Sequence, residues 1–182
     1  MLLASPVLGG GWGLSLGPSI VASNGLGYES PYGGVVVLLE AEKSEWRGEA
    51  TFGLSASHKA GFDEGFGVSA VVDVARAVGD FEFGLGARWS HTTTPIWFKN
   101  TLTPRASISW NQSWRHRLTA YYEGKDTVGE IKRVVGAESR YRVGRKWTTK
   151  SFLERVGFDQ NGKPGSGWVL GVGVLFPLWG SL

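Results

Sequence analysis

The chain has 182 residues, one domain's length over 1–182, with 28 Gly, 9 Trp and no Cys. The net charge is only +3, and its basic residues are interleaved with acidic ones, which argues against a nucleic-acid partner. No uninterrupted apolar run reaches the roughly 18 residues of a spanning helix, and the lack of Cys excludes a disulfide framework or a thiolate metal site. The mean hydropathy of −0.09 looks like that of a soluble protein, but a wall alternating apolar and polar residues averages to the same figure.

Taken in chain order, the dominant signal is a period of two. Trp12, Leu14, Leu16, Pro18 and Ile20 oppose Gly13, Ser15, Gly17 and Ser19. Over 33–43, Val35, Val37, Leu39 and Ala41 oppose Glu40 and Glu42. Over 45–57, Trp46, Ala50, Phe52 and Leu54 oppose Arg47, Glu49, Thr51 and Ser55. The same reading predicts strands at 66–74, 81–90, 102–111, 117–124 and 132–143. Residues 146–158 fit least well, because Phe152 and Leu153 are adjacent and Arg155 falls out of phase, so a bulge is expected there. The last row is Trp168, Leu170, Val172, Val174, Phe176 and Leu178. A helix would scatter both sets around its circumference. The expectation is all-β: an antiparallel up-and-down transmembrane β-barrel of about ten strands, with eight as the alternative.

Connection lengths and aromatics add two further signals. Connections near 43–45, 77–80, 112–116 and 144–146 read as short, and those near 23–32, 58–64, 91–101, 124–130 and 158–167 as longer, the asymmetry of membrane barrels. Trp12, Trp46, Trp110, Trp147 and Trp179, with Phe81 and Tyr141, fall at the short-turn ends. Trp89 and Trp168, with Phe66, Tyr122 and Phe158, fall at the opposite ends. Two aromatic rings suit two membrane interfaces, where indole and phenol sit well at headgroup level. Alternation alone leaves open a soluble barrel or sandwich with the apolar face turned inward.

The polar face carries a candidate lumen charge network: Glu40, Glu42, Arg47, Glu49, Asp73, Glu82, Arg88, Arg105, Arg117, Glu123, Glu138, Arg140 and Arg142, with Lys150 and Glu154. Buried charges need partners, so mixed signs point to a lumen filled by ion pairs; a narrow polar path for small solutes is the other reading. Inward glycines such as Gly84, Gly86 and Gly136 either open space or permit tight curvature. No cofactor or metal is expected: His58, His91 and His116 lack ligand spacing, and Asp159–Gly165, with its Asn-Gly and Pro-Gly pairs, reads as a hairpin loop, not a calcium loop.

This combination resembles the small outer-membrane barrel proteins of Gram-negative bacteria over nearly the whole chain. The resemblance implies residence in the outer membrane with a leader already removed, membrane lipid as surroundings, and the outer-membrane assembly machinery as a partner. Many such proteins end in an aromatic residue used in assembly; here Trp179 is slightly inset from Leu182. The implied function is structural or that of a narrow passive pore, with binding of a surface partner through the outer loops as one alternative. The segment His91-Thr92-Thr93-Thr94 also faintly resembles the His-x-Ser-Asn segment of outer-membrane lipid A deacylases, with Thr93 and Thr94 at the Ser and Asn positions. That would make a membrane-embedded lipid hydrolase, but no Glu or Asp on 102–111 is available to orient His91.

Overall fold

A computed structural model describes residues 11–24, 32–57, 65–92, 100–113, 115–126, 131–144, 146–160 and 163–180. They form ten strands in chain order: β1 (Gly11–Asn24), β2 (Tyr32–Lys43), β3 (Trp46–Ser57), β4 (Gly65–Val78), β5 (Phe81–Thr92), β6 (Asn100–Ser113), β7 (His116–Glu123), β8 (Ile131–Val143), β9 (Trp147–Gln160) and β10 (Lys163–Gly180). Each pairs antiparallel with its neighbours in sequence, and β1 pairs with β10 to close the barrel. Closure leaves no sheet edge unpaired. The strand count is ten, not the alternative eight.

The wall is apolar outside and polar inside. Along β6 the exposure alternates strictly over Asn100–Ala106, with Thr101, Thr103 and Arg105 buried and Leu102, Pro104 and Ala106 exposed. Phe83, Leu85, Val72, Val74, Leu153, Leu170 and Val172 all stand exposed on the outer wall, whereas Glu40, Glu82, Glu123 and Glu154 are buried inside. A soluble barrel would show the reverse, so the inward-apolar alternative is excluded.

Short turns join the strands at one end. Ser44 (φ 56°), Gly79 (φ 63°) and Gly144 (φ 62°) take the left-handed conformation that reverses the chain within two or three residues. The strands at the other end run further than the alternation implies: β1 reaches Asn24 and β10 begins at Lys163. The long connection expected over 158–167 is therefore corrected, since only residues 161 and 162 separate β9 from β10. Gly165 lets the pairing continue, because the Phe158 ring lies 2.3 Å from where a Cβ on Gly165 would stand.

Two more expectations are corrected. β9 pairs without interruption from Trp147 to Gly157, so no bulge lies at 152–155. Phe152 turns inward over Gly171, Leu153 and Arg155 face outward, and the adjacent apolar pair straddles the wall. The register shifts lie at Leu14/Ser15, Asn111/Ser113 and Ile131/Arg133. Phe158 also does not join the outer aromatic ring. It is buried in the lumen with Tyr121, Val134 and Val156, and Ile131 and Val169 pack against this cluster.

Candidate functional site

Among the described residues, charged and hydrogen-bonding side chains gather in the lumen. Arg140 on β8 donates to Glu40 at 2.8 Å, to Glu49 at 2.6 Å and to Glu138 at 3.0 Å. Strand β3, which carries Glu49, lies five places from β8 in a ring of ten, so this pair crosses the full width of the barrel. Arg117 on β7 reaches Glu49 at 3.2 Å and Glu82 at 2.6 Å. Arg47 bridges Glu40 and, at 3.3 Å, Glu42. Lys150 reaches Glu138 at 3.1 Å, and Arg142 stands 3.7 Å from Glu40. This lower cluster, nearer the short turns, holds five carboxylates and five cations, so its net charge is zero.

A second cluster sits above it. Arg88 pairs with Glu154 and, at 3.1 Å, with Glu123. Arg105 pairs with Glu123 at 2.9 Å and with Asp73 at 3.1 Å, and its guanidinium lies 3.6 Å from the Tyr121 ring centroid. The Tyr121 hydroxyl donates to Glu154 at 2.5 Å. Tyr121 fits because Gly136 faces it: a Cβ at that position would stand 2.3 Å from the ring. Above this cluster lies the apolar cap of Val134, Val156 and Phe158. Between the two clusters is a void of about 20 Å³ lined by Arg47, Glu49, Asp73, Arg105, Arg117 and Glu138, among others. That is room for about one water.

The sequence pattern names the charged members but not Tyr121 or the apolar cap. Tyr121 sits beside Tyr122, and only the strand's phase separates the inward ring from the outward one. The signal available is that phase together with Gly136, a gap opposite a large side chain.

The aromatic positions sort by height on the outer wall. Trp12, Trp46, Trp110 and Trp179 are exposed toward the short turns and Trp147 is half-buried there, while Trp89 and Trp168 are exposed toward the opposite end. Trp12 and Trp179 pack across the β1–β10 seam, ring centroids 5.3 Å apart. Of the Phe66 side chain nothing is described.

His91 faces outward, stacked on Trp89 at 6.4 Å, with Nδ1 3.0 Å from Asn100 Oδ1. Its partner is an amide and not a carboxylate; Thr93 and Thr94 lie outside the described residues. Among those residues no group of His, Asp and Glu could hold a metal ion.

No protein-family profile and no curated protein matches the sequence. The fold is similar to several solved structures at low identity. Neisserial surface protein A shares 12% identity at a TM-score of 0.41, over 92% of this chain and 98% of that one. Ail, the attachment invasion locus protein of Yersinia pestis, shares 13% at 0.41, over 92% and 99%. The Pseudomonas putida toluene transporter TodX shares 12% at 0.40, over 95% of this chain and 68% of that one.

Proposed function

We propose that the chain is a bacterial outer-membrane barrel whose lumen is closed by its own ion pairs, a membrane-seated structural barrel with little or no conductance. The observation that carries this reading is the set of bonds that cross the lumen. Arg140 to Glu49 spans the barrel's width, and Arg88 to Glu154 and Arg117 to Glu49 each join strands four places apart. A conducting pore needs a continuous water path, usually with a ring of one sign at its constriction. Here carboxylates and cations alternate, and guanidinium groups fill the section that ten strands would otherwise leave open. Residence in the outer membrane rests on the outward apolar wall, the two aromatic belts and the turn asymmetry.

Planar-bilayer recording tests the reading. The unmodified protein should give no steady conductance, and Arg140→Ala combined with Glu49→Ala should introduce a small leak with weak ion selectivity. A large, stable, charge-selective conductance from the unmodified protein would overturn it.

A further inference from the structure

The outer wall is nearly free of charge along its middle, yet two cations interrupt it near the end away from the short turns. Arg155 on β9 and Arg133 on β8 both face outward and are exposed. They are diagonal neighbours: Arg155 pairs with Val135, and Arg133 with Gly157 two residues along. Arg133 lies along the wall over Gly157, its Cγ 3.4 Å from where a Cβ on that glycine would stand. Among the described residues neither arginine has a carboxylate within ion-pair distance. The nearby Asp159 is taken by Lys132 at 3.3 Å. Arg155 instead rests on the Trp168 ring, 5.6 Å from its centroid. Toward the short turns the arrangement differs, because Arg76 on Trp46 has Glu45 beside it at 3.1 Å.

Height decides what this pair can meet. Arg155 stands eight residues up β9 from Trp147. At about 3.3 Å per residue and a tilt of about 40° this carries it roughly 20 Å up the wall. The apolar band of such a barrel is about 25 Å tall, so Arg155 and Arg133 approach its far edge, at the level of the aromatic belt. A cation in hydrocarbon is costly, but one at the interface is within reach of headgroups. Two guanidinium groups a strand apart, with no carboxylate of the described residues paired to either and an indole beside them, are suited to a planar fork of bonds to phosphate.

Building on the membrane reading above, we infer that Arg133 and Arg155, beside Trp168, form a docking site for the phosphate of an anionic membrane lipid. The site fixes one lipid against the β8–β9–β10 wall. The bound group is the headgroup of a lipid whose chains lie along Leu153, Leu170 and Val135, which are exposed on the same face.

The test uses the whole chain folded into phosphatidylcholine vesicles containing a minor share of phosphatidylglycerol, extracted in mild detergent, with the retained lipid identified by mass spectrometry. The unmodified protein and Arg76→Ala should both retain phosphatidylglycerol in preference to phosphatidylcholine. Arg133→Ala with Arg155→Ala should lower that preference roughly tenfold or more, at about fivefold per interfacial cation. If the double alanine variant does not fold, Arg155→Gln alone and the Arg133→Lys, Arg155→Lys pair carry the test; the first should lose part of the preference, and the second should keep the share due to charge and lose the share due to the guanidinium fork. Equal retention of the two lipids, or a preference indifferent to these substitutions, would overturn the inference. Displacement of the retained lipid by inorganic phosphate would also overturn it, by showing a site for the free anion. A chain that never inserts into vesicles would instead overturn the membrane reading on which the site rests.

Discussion

Arg140 holds three carboxylates at once and is almost entirely shut away from solvent. Its removal would leave Glu40, Glu49 and Glu138 facing one another in a confined space. Breaking a buried pair on one side costs about 3–5 kcal/mol, because the remaining charge is uncompensated. Arg140→Ala should therefore lose stability of that order, read as a shift in the urea midpoint of the protein refolded into vesicles. The losses should not add: in an Arg140→Met background, Glu49→Gln should cost far less than it does alone. The same logic makes Glu138→Gln destabilising, since Arg140 and Lys150 both lean on Glu138. These partnerships were hidden in the sequence. Arg140 and Glu40 are one hundred positions apart, and only the closed ring brings β8 opposite β2 and β3. That Glu40 and Arg140 belong to the polar face is legible from phase alone; which partner each one meets depends on the stagger of every strand between them.

At the scale of the strand, inward and outward positions obey different rules. A Cβ on Gly86 would lie 2.1 Å from the Val72 carbonyl oxygen of the neighbouring strand, so β4 itself would have to move. Outward Gly48 has nothing within 4 Å of its would-be Cβ. Gly86→Ala should cost about 1–3 kcal/mol through overpacking. Gly48→Ala should be neutral or gain up to about 1 kcal/mol by restricting the unfolded chain. Equal effects of the two in parallel urea titrations would contradict the assigned faces. Leu85, 72% exposed and four residues up β5 from Phe81, stands near mid-height of the wall. Leu85→Arg should cost about 2–4 kcal/mol in a bilayer, the range for a cation at the midplane of a barrel's lipid face. All ten strands are legible from the period of two, β9 with the least regular side-chain pattern. On β9 only the expected bulge is absent, because Phe152 is a large apolar residue on the inward face and Arg155 a cation on the outward one. Each breaks the binary pattern while the backbone stays regular, Phe152 in the space over Gly171 and Arg155 near the edge of the apolar band. Phe158 near the end of β9 reads as a belt residue by position alone, and only the strand's phase turns it into the lumen.

For the whole molecule, the outer wall presents far more contiguous apolar surface than a monomeric soluble protein tolerates. A monodisperse folded state should therefore require detergent or lipid, as judged by size-exclusion chromatography with and without micelles. A well-folded monomer in plain buffer would contradict the membrane reading. The seam between β1 and β10 has a consequence in time. Gly13 meets Gly180 and Asn24 meets Trp168, so the closing contacts join the two ends of the described chain. Every cross-lumen ion pair presupposes a ring, and an open sheet would hold Glu40 and Arg140 on strands that are not yet opposite. The entropy of bringing distant segments together is spent before these charges find one another. Order of synthesis therefore gives this barrel no head start: a chain lacking β10 has two bare edges and keeps only the ion pairs between neighbouring strands, such as Arg105–Glu123, and the tenth strand is the one that lets the first hold its place.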